Sequence, residues 1–145
     1  MCASELRTKI AMSPVGIVRN EFNDCPADPS TVRKELSKIE VFSEYSDGLY
    51  RIREHKYLDI IFYFDRSKGY KLKCKTPHWG VRGVFASRSP YRPAPLGLMK
   101  VALISVRKNE LVVKGLDALN GTPVMDIKPH VTRWESKKEM KSNAK

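Results

Sequence analysis

The sequence has little cysteine, and what it has forms no pattern. Cys2, Cys25 and Cys74 are odd in number and far apart, with no CxxC pair. That argues against a disulfide scaffold and points to a reducing compartment, so a cytoplasmic location is expected. His55, His78 and His130 are equally scattered, and no structural zinc site is expected. No apolar run approaches the roughly 20 residues that span a bilayer, which excludes a transmembrane helix and any expectation of a membrane partner. Met1 to Ser13 lacks a continuous apolar stretch ahead of a small-residue cleavage site, so no secretory signal is expected. GxGxxG after a strand, GxxxxGK[ST], GxSxG and HExxH are all missing. A Rossmann nucleotide site, a P-loop, a hydrolase nucleophile elbow and a zincin helix are thereby unsupported. The 145 residues contain no internal repeat and no domain-scale linker, which suits one domain.

The most informative absence is acidic charge. Between Arg66 and Asn109 there is no Asp or Glu. Eleven of the chain's 27 basic residues lie there, while the remainder balances sixteen basic against sixteen acidic, so one segment carries the entire net charge of +11. Tyr70, Trp79, Phe85 and Tyr91 are interleaved with those cations. Cations neutralise phosphates and rings stack on unpaired bases, so the segment is a candidate nucleic-acid surface, with Lys71, Lys73, Lys75, Arg82 and Arg92 as candidate RNA contacts. The competing reading is a solvated basic face around core aromatics.

Hydrophobic residues make up 41% and charged residues 30%, a globular composition. Val15 to Arg19 reads as a first strand and Asn23 to Ser30 as a loop. Thr31 to Lys38 suits one or two helical turns. Ile39 to Tyr45 alternates as a strand, and Ser46-Asp47-Gly48 is a turn or a helix N-cap before a short helix over Gly48 to His55. Leu58 to Phe64 is an apolar strand expected to be buried on both faces. Lys71 to Lys75 is expected to be a strand with one wet, basic face, and Gly80 to Ala86 another strand. Leu98 to Val106 and Leu111 to Leu116 flank a hairpin turn, and Val124 to Ile127 is a last strand. The expectation is a mainly β chain: a single β-barrel-like domain with short helices, not a Rossmann fold. The domain is expected over 14–132, after an extension at 1–13 and before a basic, flexible tail at 133–145.

Two segments are too specific for packing alone. In Arg88-Ser89-Pro90-Tyr91-Arg92-Pro93-Ala94-Pro95 the prolines fix φ, so a stiff loop presents Arg88 and Arg92 at low entropic cost. Arginine is the side chain for two-pronged recognition of carboxylate or phosphate. In Asp117-Ala118-Leu119-Asn120-Gly121-Thr122-Pro123, Asn120-Gly121 favours a tight turn and Thr122-Pro123 an extended exit. Such turns expose backbone donors and acceptors to a polar ligand.

GVFASRSPYRPAPLGL (83–98) followed by GLDALNGTPVMDIKPH (115–130) resembles the two signature blocks of the TsaA-like (YaeB-like) family. VGIVRNEF, IEVFSEYSDGLYRI and LDIIFYFDRS fall in that family's order and spacing. The resemblance implies a β-barrel methyltransferase that uses S-adenosylmethionine and is a homodimer. It also implies an acceptor, N6 of threonylcarbamoyl-adenosine at position 37, in the anticodon stem-loop of tRNA.

The resemblance also implies site residues. Asp65 and Arg66 fall at a strand end where the family contacts its cofactor, and Arg88 is the arginine of the first block. Leu98 to Lys100 follow that block, and Ala118, Leu119, Asn120 and Gly121 match the cofactor-binding loop. The chain departs from the family pattern at Ala94 (Asn there), Met99 (Ser) and Asn120 (Asp). Where the family often carries Pro-Arg-Gln, this chain reads Pro29-Ser30-Thr31 or Pro26-Ala27-Asp28. For proton removal the weak candidates are Asp126 and Asp117, with His78 and Tyr91 as groups that could orient the base; none stands out as a general base. The alternatives are methylation of a different acceptor and a non-catalytic module that senses the cofactor or binds RNA.

Overall fold

The structure is a computed structural model that describes residues 9–28 and 30–132. The expected basic tail, Pro29 and residues 1–8 of the expected extension lie outside the described residues. Eight strands and one short helix follow in chain order: β1 (Gly16–Arg19), α1 (Ser30–Lys34), β2 (Leu36–Val41), β3 (Tyr57–Tyr63), β4 (Lys73–Thr76), β5 (Gly80–Gly83), β6 (Leu96–Arg107), β7 (Glu110–Lys114) and β8 (Pro123–Pro129). Six of them close an antiparallel barrel in the order β1-β2-β7-β6-β3-β8, while β4 and β5 form a separate two-stranded sheet. The expected mainly β, barrel-like architecture is therefore what the chain adopts. No helix among the described residues is long and apolar enough to cross a membrane.

Alternation explains the barrel. Val18, Ile39, Val41, Leu58, Ile60, Phe62, Val101, Leu111, Val113 and Val124 point inward and are buried, together with Leu116 and Ala118. Side chains thus fill the interior, as expected for a small barrel. β6 runs for twelve residues because it serves two partners. Leu96 to Ala102 pair with β3, and Ala102 to Arg107 pair with β7 across an irregularity between Leu103 and Ser105. Gly97 sits under the Phe62 ring, where a Cβ would overlap three ring carbons. A Cβ on Gly16 would lie 2.5 Å from the Glu40 carbonyl oxygen on the neighbouring strand.

Several local expectations are corrected. The helix expected over Thr31 to Lys38 stops at Lys34, and the chain is already extended from Leu36. The strand was hidden because its first inward position is a serine, Ser37, which is fully buried. The strand expected over Ile39 to Tyr45 ends at Val41, where Asn109 Nδ2 donates to the Val41 carbonyl at 2.6 Å. Two short 3₁₀ helices, Ser43–Leu49 and Ile52–Glu54, stand in place of the one helix expected over Gly48 to His55, separated by Tyr50 and Arg51, the latter left-handed at φ 65°. β3 is buried on one face only: Leu58, Ile60 and Phe62 face the core, while Tyr57 and Tyr63 are exposed on the outside. An apolar run there reflected an apolar outer surface, not a second core. Lys71 and Leu72 precede β4, and Val84 to Ala86 leave β5 as a 3₁₀ turn.

Candidate functional site

Antiparallel connections gather the motif residues at one mouth of the barrel. β1 ends there at Arg19, β3 ends there at Tyr63, and β8 starts there at Pro123. The loop leading into β8 folds onto the exit of β1. The Asn120 N–H donates to Phe22 O at 2.7 Å, Gly121 N–H to Val18 O at 2.8 Å, and Val18 N–H to Thr122 O at 2.9 Å. Thr122 N–H donates to Leu119 O at 3.1 Å, closing a four-residue turn. Gly121 takes φ 83° at its third position, the arrangement of a type II turn, in which Asn120 stays at negative φ.

An amide network locks this turn. Asn20 Nδ2 donates to Ser37 Oγ at 3.0 Å and to Ala118 O at 2.9 Å, and its Oδ1 accepts Phe22 N–H at 3.0 Å. Asn120 Oδ1 accepts the Asn20 N–H at 3.2 Å, while its Nδ2 donates to Asn23 Oδ1 at 3.1 Å. Arg66, just beyond β3, completes the clamp: Nη1 donates to Asn23 O at 3.0 Å and Nη2 to Asn120 O. A Cβ on Gly121 would lie in ordinary contact, 3.5 Å from that same Nη2, so it is the positive φ and not space that calls for glycine.

The other sequence candidates do not all join the clamp. Ala118 is a core residue whose carbonyl is taken by Asn20, and Leu119 is half-buried beside it. Arg88 donates to the Leu98 carbonyl, bringing the stiff loop against the outer edge of β6. Arg92 bends back on its own loop, with Nη1 3.0 Å from Ser87 O and 3.3 Å from Ser89 O. Tyr91 is exposed there, its N–H donating to Ser89 Oγ at 3.2 Å. Lys100 lies further along β6, with Nζ 4.4 Å from the Tyr57 ring centroid. Met99 faces inward against the core. Asp65 is exposed next to Arg66.

Asp117 is engaged by Arg33 of α1 at 3.1 Å. Asp126 pairs with Lys128 at 2.7 Å and accepts the Ile127 N–H at 2.9 Å. The hydrogen bond from Lys128 to Asp126 holds the pKa of the Lys128 ammonium above the ordinary lysine value. Both carboxylates thus already hold a cation. Lys73, Lys75 and Arg82 belong to the β4–β5 sheet, His78 to the turn that joins its strands, and Lys71 leads into it. A cavity of about 370 Å³ opens at the opposite barrel mouth. Val15, Val41, Tyr50, Arg51, Leu58 and Asp126 are among its lining residues, whereas the Ala118–Gly121 turn is not.

The model of the tRNA-methyltransferase O N-terminal domain matches residues 17–136. The chain belongs to that family. An S-adenosyl-L-methionine-binding protein of Archaeoglobus fulgidus is 38% identical over 123 residues, covering 82% of this chain and 88% of that one. The tRNA (adenine(37)-N6)-methyltransferase of Escherichia coli is 30% identical over 136 residues, which is 84% of this chain and 58% of that enzyme. The crystal structure of TrmO from Pseudomonas aeruginosa superposes with a TM-score of 0.69 at 27% identity, over 86% of this chain and 57% of that one. The chain therefore spans little more than half the length of the bacterial enzymes it matches.

The turn that the clamp locks lies within the segment matched by the tRNA-methyltransferase O family. Asn20 and Asn23 were missed by sequence reasoning, although Asn20 lies within the opening strand segment that resembles the family. Their signal was weak, since asparagines near a turn are common. The departure at Asn120 has a local explanation. Its Nδ2 donates to Asn23 Oδ1, which an aspartate could not do.

Proposed function

We propose that the chain is an S-adenosylmethionine-dependent methyltransferase acting on N6 of adenosine 37 in tRNA, with the anticodon stem-loop as its partner. The observation that carries this reading is the family match over 17–136, whose second block forms the clamped turn at Arg66, Asn20 and Asn23. The finer acceptor is proposed to be the threonylcarbamoyl form of that adenosine.

The residues at this mouth suit the cofactor. Arg66 uses two of its N–H directions on carbonyls and keeps others for a carboxylate or ribose oxygen. Asp65 offers an exposed carboxylate beside it, of the right sign for an ammonium or a ribose diol. Arg88, anchored at Leu98, is a second guanidinium for an anionic group.

The cofactor, when bound, supplies a methyl group on a sulfonium whose leaving group is neutral. The protein's own contribution is then positioning and exclusion of water. Arg66 and the three asparagines hold the turn rigid, so its backbone groups keep their aim without reorganising. Asp117 and Asp126 are each already paired with a cation, Arg33 and Lys128. Solvent or substrate is the proposed acceptor of the N6 proton.

A homodimer is proposed as well. The outer face of β3 and β6 carries exposed Tyr57, Tyr63, Leu96 and Leu98, an apolar surface suited to a second copy. The proposed compartment is the cytoplasm, in keeping with the free thiols of Cys25 and Cys74.

Binding without turnover is the second reading. It is favoured by the archaeal relatives that this chain covers nearly end to end, whose names specify cofactor binding. Labelled methyl transfer to tRNA from cells lacking the protein, with mass spectrometry of the nucleosides, separates the two. Methyl on the adenosine is the expected result. Calorimetric binding of the cofactor without transfer would favour the second reading, and neither binding nor transfer would overturn both.

A further inference from the structure

The β4–β5 arm is built without a core. Every residue of β5 is exposed, and β4 is exposed at both lysines. A free two-stranded ribbon is marginal in water, so its order has to come from elsewhere. Its tip is fixed by Thr76, whose Oγ1 accepts the Trp79 N–H at 3.2 Å and donates to Gly80 O at 2.9 Å, with Gly80 at φ 69°. Its root is fixed by Val84, which is buried and donates its N–H to Leu72 O at 2.8 Å. The result is a stiff ribbon with large apolar groups left in water: Trp79 is 65% exposed, Val81 70% and Phe85 82%.

Register sorts the side chains. Lys73 lies opposite Gly83 and Lys75 opposite Val81, whereas Cys74 lies opposite Arg82. Directly paired residues share a face, so Lys73, Lys75 and Val81 occupy one side and Arg82 the other. On its own side Arg82 lies over the Trp79 indole, with the guanidinium carbon 5.2 Å from the ring centroid. One face is therefore a flat aromatic–guanidinium pair and the other a row of ammonium groups, on a ribbon only about 5 Å across. Flat cationic and aromatic surfaces stack on unpaired bases, and ammonium groups neutralise the phosphates of the same strand. No acidic residue lies between Arg66 and Asn109 to offset this charge.

We infer that the β4–β5 arm grips single-stranded RNA, with Trp79 and Arg82 as the base-stacking surface and Lys73 and Lys75 as the phosphate contacts. The inference rests on the RNA-substrate reading above and adds the residues that hold the unpaired strand. Trp79 is a positioning residue here, remote from any claim on the methyl transfer itself.

The test uses the full chain carrying Trp134→Phe, so that Trp79 is the remaining indole. A 12-nucleotide oligoadenylate and a duplex RNA of equal length are titrated while indole fluorescence is followed. Quenching by the single strand and not by the duplex is expected, and affinities read from the anisotropy of the end-labelled oligonucleotide should fall about 5- to 100-fold in Trp79→Ala and be largely kept in Trp79→Phe. In the parent, replacing Lys73 and Lys75 with Gln should lower the salt slope by about 1.4. Calorimetry of the same variants with S-adenosylmethionine should be unchanged, and a Trp79→Ala enzyme should show a raised KM for tRNA with kcat retained. Failure of methyl transfer in the parent, with Trp79-dependent RNA binding intact, would sink the enzyme reading and leave this one standing. Equal RNA affinity in parent and Trp79→Ala overturns the inference. So does a change from dimer to monomer in sedimentation with RNA affinity unchanged, which would assign the arm to a second copy.

Discussion

The barrel and the β4–β5 arm are both antiparallel strands, yet they are held by different physics. In the barrel each strand turns one face inward, and the charged residues outside come in cross-strand pairs such as Arg19–Glu40 and Lys38–Glu110. In the arm both faces are wet, and the charge has one sign. Burial dictates the first region and leaves it little freedom. The second is shaped by a turn, a buried root and a cation over a ring, so its surface remains free for a ligand. Between them lies the clamped turn, whose shape depends on amides and one guanidinium rather than on apolar burial.

The sharpest way to break this contrast is the same truncation in both places. Leu58→Ala in the barrel should cost about 2–5 kcal/mol in urea denaturation, because a fully buried side chain leaves a cavity. Val81→Ala in the arm should change stability by no more than about 0.5 kcal/mol. Comparable losses at the two sites would contradict the account. A glycine pair sharpens it further. Gly97→Ala forces a Cβ into the Phe62 ring and should cost about 1–3 kcal/mol, whereas Gly83→Ala meets nothing closer than 3.8 Å and should be nearly neutral by thermal melting.

Next in size is the clamp. Arg66→Ala removes two hydrogen bonds that join the Asn23 and Asn120 loops. It should weaken S-adenosylmethionine binding by about tenfold or more in calorimetry, the order expected for a charge-assisted contact, while the barrel still folds. Arg82→Gln should leave that binding untouched. The smallest effect concerns Asp28, whose carboxylate accepts hydrogen bonds from Ser30 Oγ and N–H at the start of α1. Those bonds lower its pKa. The stabilisation is therefore present above the ordinary carboxylate value near 4 and is lost as pH falls through the lowered one. Asp28→Asn should flatten the acid side of the melting-temperature profile slightly and leave neutral pH almost unchanged.

Much of the barrel was legible in the sequence because alternation is a burial signal. Val15–Arg19, Leu58–Phe64 and the Leu98–Leu116 hairpin all appear as strands within a few residues of their expected ends. Where the inward residue is polar the signal fails, as at Ser37. Where the outward residue is apolar it overshoots, as on the outer face of β3. The site was legible as two motif blocks but not as a geometry. Arg66 and the Asn120 turn come together, and Arg88 joins Leu98, yet Lys100 lies with Tyr57 and Ala118 in the core. Asn20 and Asn23 could not be found by type, since their roles arise from contacts with residues about 100 positions away.

The division between clamp and arm is tested most directly by backbone amide NMR of the full chain, titrated separately with S-adenosylmethionine and with a tRNA anticodon stem-loop. The cofactor should move the amides of Arg66, Arg88, Asn120 and Gly121 and leave Lys73 to Gly83 in place. The RNA should move Lys73 to Gly83 whether or not the cofactor is present. Cofactor shifts centred on the opposite barrel mouth around Tyr50, Arg51 and Leu58, or RNA shifts that bypass the arm, would contradict the account.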